Sequence, residues 1–400
     1  MKQTPVVAAG LVLLAFACTG CSARTSAGPG PSAFTKSSSE PAASAAPTVT
    51  NCASAGLVPP AAPGRPRTMA AWPYRLLQRQ RPSELIADQA ISPATGAAYA
   101  LISRTPTIPL QGPYVLECTE LRTGSARHGP VFPVDRLTIA AGYLWVYGAP
   151  RPGAPPLIYQ VNPVTLARIR SIPLPGPAGF GGATFATGAG GSVWIGSYRT
   201  VLQVAVATGT TLRRVTLPPG LAVSGIAVDP AATTLYVSAA HVAHDGGASG
   251  LVMFEYNARS GRRLAAASSG LLRYSAAGAE LTAVPGGVWA SFRTGMMGLT
   301  LHLSRAGLQM ITPPGPRITR SPATGIFHWP MYEATAYGGG ALWVVNQLRI
   351  LACLDPRTGK VRASERVGQS LLAVDPATHT IYGGDPNGLI QITPPRRCWS

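Results

Sequence analysis

From about residue 84 to the C-terminus, short apolar runs alternate with turns rich in Gly, Pro and Asp. The stretch GIAVDPAATTLYVSA at 225–239 has the pattern of a strand, a tight turn and a second strand. Nearly the same text returns as LLAVDPATHTIYGGD at 371–385, and more faintly as QAISPATGAAYALIS at 89–103. Asp caps its own backbone, Pro fixes φ and Gly accepts positive φ, so these turns suit β-hairpins. The pattern predicts a repeated all-β unit.

The second strand of each unit carries one large aromatic residue, at intervals of 39 to 54 residues. Seven units at such a period predict a seven-bladed β-propeller in which each blade has four antiparallel strands. We expect each ring to pack against the neighbouring blade. The repeated aromatic residues are Tyr99, Trp145, Trp194, Tyr236, Trp289, Trp343 and Tyr382.

The last unit supplies only three strands before the chain ends in PRRCWS. An incomplete blade would leave an open sheet edge, so a further strand is expected from elsewhere in the chain. Residues 51–83 are the natural donor. We therefore predict that this N-terminal closing segment pairs with the last blade and closes the ring, and that 84–400 form the propeller.

Four cysteines lie outside the N-terminal segment and predict two disulfides. Cys118 and Cys353 occupy the same strand of blades one and six, with blade seven between them, which places them on the order of 20 Å apart. A disulfide needs Cα atoms within about 7 Å, so these two should not pair. We favour Cys353–Cys398 with Cys52–Cys118. Cys52–Cys353 with Cys118–Cys398 stays open.

The N-terminus predicts an export signal over residues 1–20. Lys2 precedes an apolar run over 6–17, and twelve helical residues rise only about 18 Å, too short to span a bilayer. The following Cys18-Thr19-Gly20-Cys21 resembles the lipobox of bacterial lipoproteins. That resemblance implies a lipid on Cys21, whereas cleavage a few residues later would release a secreted protein.

Residues 21–50 consist almost entirely of Ser, Ala, Pro, Gly and Thr. Such a segment buries too little apolar surface to offset its ordering entropy, so it is predicted to be a disordered tether. A lipid anchor followed by a tether predicts a protein on the extracytoplasmic face of the cell membrane.

The formal charge is +18, and 30 of the 33 cationic residues are arginines. Because no run of five or more basic residues occurs and no nucleic-acid-binding motif is present, we expect no nucleic-acid partner. The expected partners are a protein, a glycopolymer or a small anionic ligand, bound by a monomer.

One cluster has the residue types of a metal site. HVAHD places His241, His244 and Asp245 in one loop, with Glu255 in the next strand. The chain has no G-x-S-x-G elbow, dinucleotide fingerprint or P-loop. The prediction is therefore no cofactor, with a divalent cation as the alternative.

The long connections between strands share one face of the predicted ring, which we call the long-loop face. Arginines concentrate in or beside these loops, and guanidinium groups suit carboxylates and phosphates. Binding sites of propellers commonly lie on such loops. The predicted ligand-binding residues are Arg104, Arg151, Arg199, Arg293, Arg317, Arg320, His328, Trp329 and Arg349.

The G-G-x-[VL]-W strands and A-V-D-P-A turns over residues 84–395 resemble the seven-bladed propellers of the YVTN and virginiamycin B lyase-like group. That resemblance implies the propeller fold. The lyases use a His and a Glu with a divalent cation to open a lactone, but their W-F-T-E signature is replaced here by WVYG, WIGS, WASF and WVVN. We favour a binding or scaffold module, with a metal-dependent lyase or hydrolase as the alternative.

Overall fold

The computed structural model describes the second of two units into which the chain divides, Met1–Ala42 and Ala43–Ser400. No helix long and apolar enough to cross a membrane occurs in the described part of the chain. The described residues are 67–68, 72–79, 85–103, 113–133, 136–148, 154–176, 183–242, 248–269, 279–294, 297–304, 310–311, 332–346, 350–366, 370–385 and 388–399.

Six four-stranded antiparallel sheets follow one another along the chain, and we number them sheets 1 to 6. Sheets 1 to 3 contain β3 (Leu85–Ser92), β4 (Ala97–Ser103), β5 (Tyr114–Glu120), β6 (Ala126–Phe132); β7 (Arg136–Ala140), β8 (Tyr143–Gly148), β9 (Leu157–Val161), β10 (Arg168–Pro173); and β11 (Thr184–Thr187), β12 (Ser192–Ser197), β13 (Thr200–Ala205), β14 (Thr211–Thr216). Sheets 4 to 6 contain β15 (Leu221–Val228), β16 (Thr234–Val242), β17 (Ala248–Asn257), β18 (Arg263–Ser269); β19 (Ala279–Val284), β20 (Gly287–Thr294), β21 (Met297–Ser304), β22 (Met310–Ile311); and β23 (Tyr332–Gly338), β24 (Ala341–Asn346), β25 (Ile350–Leu354), β26 (Val361–Arg366).

The remaining sheet joins the two ends of the described chain and has five strands in the order β1-β2-β29-β28-β27. Strand β2 pairs antiparallel with β29, with Tyr74 opposite Ile392. Its strands are β1 (Arg67–Thr68), β2 (Pro73–Arg79), β27 (Ser370–Asp375), β28 (Thr380–Asp385) and β29 (Gly388–Ile392).

The prediction of seven four-stranded blades is therefore wrong. Six sheets have four strands, and the N-terminal segment adds two strands rather than one to the sheet that contains the C-terminal strands. The closure predicted for residues 51–83 needs correction as well. At the centre, the contact that joins this sheet to sheet 1 is made by β27 and β3, so packing of inner strands closes the ring there.

In sheets 1 to 6 the first strand lies innermost, in the five-stranded sheet β27 does, and each of these strands contacts the innermost strand of the next sheet. Carboxylates bond some of these strands across the sheet boundary. Asp88 Oδ2 accepts the backbone N–H of Leu137 at 2.7 Å, and Glu280 Oε1 accepts that of Thr335 at 3.0 Å. Backbone donors left over at the inner edges are thus satisfied by the neighbouring sheet.

The repeated aromatic residues all lie in the strand next to the innermost one, and all seven are buried. They fill the space between adjacent sheets. Trp194, for example, packs with Val201 of its own sheet and with Val223 and Leu235 of sheet 4. A large ring at this position therefore contributes apolar surface to each contact between sheets.

The C-terminus is held against sheet 6. The disulfide Cys353–Cys398 confirms the favoured pairing for these two residues, with a Cα–Cα distance of 5.7 Å. A short 3-10 helix over Arg396–Cys398 follows the last strand, and the ring of Trp399 lies 4.9 Å from that of Trp343. Cys118 is also disulfide-bonded, whereas Cys52, its predicted partner, lies outside the described residues.

The connections from first to second strand and from third to fourth strand lie on one face, which we call the short-turn face. Asx side chains shape several of these turns. Asn162 Oδ1 and Asn257 Oδ1 each accept two backbone N–H groups in sheets 2 and 4. Asp355 Oδ1 does the same in sheet 6. This face is therefore rigid and well bonded.

Candidate binding cleft between sheets 3 and 4

Most of the residues predicted to bind a ligand lie outside the described part of the chain. Arg199 lies in the turn between β12 and β13, where its Nη2 donates to the carbonyl oxygen of Leu217 at 3.1 Å. Arg293 lies in β20, opposite Gly298. The remaining seven stay predictions, namely Arg104, Arg151, Arg317, Arg320, His328, Trp329 and Arg349.

The predicted metal cluster is also only partly described. His241 is exposed near the end of β16, and His244 and Asp245 lie outside the described residues. Glu255 of β17 lies opposite Tyr236, and Tyr236 is five residues from His241 along β16. At about 3.3 Å per residue, Glu255 is therefore ~16 Å from His241 and does not join the cluster. Among the described residues there is no group of three His, Cys, Asp or Glu side chains placed to hold a metal ion.

Arginines of the outer strands bond one sheet to the next on the short-turn face. Arg127 of sheet 1 donates to the carbonyl of Val164 in sheet 2. Arg170 Nη2 donates to Ala207 in sheet 3 at 2.7 Å, and Arg213 Nε donates to Arg259 in sheet 4 at 2.6 Å. These three arginines therefore stabilise the contacts between sheets, a role that the sequence did not predict.

The polar atoms of the buried aromatic residues follow a similar rule. Tyr99 Oη donates to Pro163 O of sheet 2 at 3.3 Å, and burial raises the pKa of Tyr99 so that the hydroxyl stays protonated. Trp289 Nε1 donates to Pro356 O of sheet 6 at 2.8 Å. Trp145 and Trp343 instead donate to carbonyls of their own sheets, those of Ala140 and Gly338. Each of these buried donors has an acceptor.

Trp194 departs from this rule. Its Nε1 has no hydrogen-bond partner among the described residues, although the side chain is 0% exposed. Trp145, Trp289 and Trp343 each lie opposite a residue seven positions earlier, whereas Trp194 lies opposite Ala186, eight positions earlier. The turn before β12 is therefore one residue longer.

The longer turn removes the acceptor that the indole would otherwise use. In sheets 2 and 6 the accepting carbonyl lies five residues before the tryptophan, at the end of the inner strand. The matching residue before Trp194 is Ala189, which lies beyond the end of β11. Its carbonyl oxygen accepts the hydroxyl of Ser192 at 2.6 Å instead.

A cleft of about 710 Å³ opens beside this indole, between the short turns of sheets 3 and 4. The volume falls within the usual range of ligand pockets. Ala258, which lines the cleft, occupies the turn position at which Pro163 and Pro356 accept aromatic donors in other sheets. Further lining residues are Trp194, Gln203 and Arg213 of sheet 3 and Thr233 and Arg259 of sheet 4.

Gln203 lies in the wall of this cleft. It lies directly opposite Trp194 across β12 and β13, and it is only 8% exposed. The single hydroxyl hydrogen of Ser192 is donated to Ala189, so Ser192 Oγ accepts the bond from Gln203 Nε2 at 2.8 Å. This fixes the amide, and Gln203 Oε1 has no partner among the described residues.

The charge at the cleft is positive. Arg213 and Arg259 lie on opposite sides, and they are joined by the bond from Arg213 Nε to the carbonyl of Arg259. The carboxylate of Asp229, which accepts bonds from Thr233 and Thr234, offsets only part of this charge. The site therefore combines one buried donor, one buried acceptor and two guanidinium groups, a set suited to a ligand that carries an anion.

No protein-family model matches the chain, and no curated protein matches it. Among solved structures, it is similar to BamB from Moraxella catarrhalis, with a TM-score of 0.51 and 12% identity over 82% of this chain and 95% of that one. It is also similar to the WD40 domain of Pan2 from Neurospora crassa, with a TM-score of 0.53 and 10% identity over 82% of this chain and 98% of that one. These likenesses confirm a β-propeller. They do not confirm the resemblance to the virginiamycin B lyase-like group.

Proposed function

We propose that this protein is a binding module that holds an anionic ligand or partner protein outside the cytoplasm, at the membrane. The observation that carries the proposal is the cleft between sheets 3 and 4. It is lined by Trp194 and Gln203, whose buried N–H and side-chain oxygen have no partner among the described residues, and by Arg213 and Arg259. Buried polar atoms normally have partners, so a ligand with matching groups would complete the hydrogen bonding there.

Binding to inorganic polyphosphate tests the proposed function. The full chain in detergent should bind this polyanion, and an Arg213→Gln, Arg259→Gln variant should bind about tenfold more weakly, because two charge-assisted contacts are lost. The matched control is Arg357→Gln, Arg397→Gln, which removes the same charge elsewhere. An equal loss in both variants would show that binding reflects only the overall charge and would contradict a site at the cleft.

The membrane anchor belongs to the same proposal and rests on the sequence around Cys21. A Cys21→Ala variant should move from the membrane fraction to the soluble fraction, whereas Cys18→Ala should remain with the membrane. A Cys21→Ala protein that stays membrane-bound would show that no lipid on this residue anchors the chain.

A further inference from the structure

We infer that the cleft between sheets 3 and 4 binds an acidic peptide segment. In this assignment Trp194 and Gln203 bind the backbone C=O and N–H of one residue of the peptide, and Arg213 and Arg259 bind a carboxylate. The inference rests on the proposed function, since it names the chemistry of the ligand for the same cleft. It goes beyond the proposed function because it assigns each side chain to a separate chemical group of the ligand.

The donor and the acceptor complement the backbone of one peptide residue. An indole N–H can only donate, and the bond from Gln203 Nε2 to Ser192 fixes the side-chain oxygen of Gln203 as an acceptor. Because Trp194 and Gln203 are directly opposite on adjacent strands, their Cβ atoms lie about 5 Å apart. In an extended peptide the N–H and the C=O of one residue point to the same side, so a single residue can satisfy both groups.

The guanidinium groups provide for a carboxylate. Arg213 uses its Nε for the bond to Arg259 O, which leaves its two Nη groups for a ligand. The Arg259 side chain lies on an exposed turn on the other side of the cleft. Leu212, which is 51% exposed, adds an apolar contact at the cleft. Aspartate, glutamate or a C-terminal residue supplies the required carboxylate next to an amide.

Two other ligand classes fit less well. A neutral carbohydrate carries hydroxyl groups but no anion for Arg213 and Arg259 to bind. A bare phosphate or sulfate carries only acceptors at its full charge, so the fixed oxygen of Gln203 would lie against it without a donor. An amide-bearing anion satisfies every group.

The test uses the full chain in detergent and small blocked peptides. N-acetyl-Ala-Glu-Ala-amide should bind about tenfold more tightly than N-acetyl-Ala-Gln-Ala-amide, because only the first carries a carboxylate. Equal affinity for the Glu and Gln peptides would overturn the inference.

A pair of tryptophan variants locates the peptide. Trp194→Phe removes the indole N–H and should weaken binding of the Glu peptide about fivefold, the usual effect of one hydrogen bond. Trp145→Phe is the matched control, since its N–H already donates to Ala140, and it should leave the affinity unchanged. Equal affinity of Trp194→Phe and the native protein would overturn the inference. Binding of inorganic polyphosphate without binding of any peptide would overturn it too, while leaving the proposed function in place.

Discussion

Arg213 Nε lies 2.6 Å from the carbonyl oxygen of Arg259, so the outer strand of sheet 3 is bonded to a turn of sheet 4. Arg127 and Arg170 make the equivalent bonds from sheets 1 and 2. A planar guanidinium can lie along a neighbouring turn and donate to its carbonyl, which an ammonium group does with less defined geometry. This use accounts for part of the strong excess of arginine over lysine.

Replacing two of these arginines with lysine should lower stability while keeping the charge. We expect Arg127→Lys, Arg170→Lys to reduce the free energy of unfolding by about 1–2 kcal/mol, because two bonds to backbone carbonyls are lost. Arg214→Lys, Arg366→Lys is the control on exposed positions of outer strands. Urea denaturation measures both, and a similar loss in the control would contradict a specific role for the guanidinium bonds.

The indole N–H groups should differ in their contribution to stability. Trp145→Phe removes a bond of 2.9 Å to Ala140 O, and the carbonyl is left buried, so we expect a loss of about 1–2 kcal/mol beyond that caused by the smaller ring. Trp194→Phe removes an N–H without a partner among the described residues. Thermal unfolding of both variants should therefore show the larger decrease for Trp145→Phe, and the reverse order would contradict the bonding described.

Asp355 should make stability depend on pH below 4. Burial alone would raise its pKa, but bonds from Thr358, Arg362 and Arg357 outweigh that effect and lower the pKa to about 2 from an ordinary 3.8. The folded state binds the proton more weakly than the unfolded state, so this stabilisation is present above about pH 4 and is lost as pH falls toward 2.

The Asp355→Asn variant isolates this charge, because Asn162 and Asn257 shape equivalent turns. Since the carboxylate is partly exposed, we expect the variant to lose about 1 kcal/mol at pH 7. Urea unfolding at several pH values should show the gap between the variant and the native protein closing below pH 4. A gap of constant size down to pH 2.5 would be evidence against the shifted pKa.

Gly339 should be essential for the docking of the C-terminus on sheet 6. Its φ is +60°, and a Cβ at this position would lie 2.3 Å from Cε3 of Trp399. Gly286 also has a positive φ, +88°, but open space around it. Gly339→Ala should therefore lower the melting temperature by several degrees more than Gly286→Ala. Equal decreases in melting temperature would mean that backbone strain, and not the contact with Trp399, accounts for both effects.

The repeat of aromatic residues predicted much of the fold, because burial of a ring between sheets demands a large side chain at one fixed position. Tyr99 and Trp343 lie in second strands as expected. The strand count failed at residues 67–79, where nothing in the local pattern separates one added strand from two. Pairing of Cys353 with Cys398 was predictable from the repeat, since the last strands return beside sheet 6.

The cleft was not predicted, because it depends on a single residue. The segment TGAGGSVW resembles the other Gly-rich turns, and only counting back from Trp194 to its partner Ala186 reveals the extra position. The extra residue moves the carbonyl of Ala189 away from the indole of Trp194, and the sequence alone does not show this. Arg213, which lines the cleft, was not predicted either, because it lies in a strand and not in a long loop.

The most direct test of the account is the indole N–H spectrum of the ¹⁵N-labelled protein, which has seven tryptophans. Titration with N-acetyl-Ala-Glu-Ala-amide should shift the signal that disappears in Trp194→Phe, in the direction expected of a newly formed hydrogen bond. The signals of Trp145 and Trp343, whose donors are already bonded, should stay in place. A Trp194 signal that does not move at saturating peptide would contradict the assignment of the cleft as the binding site.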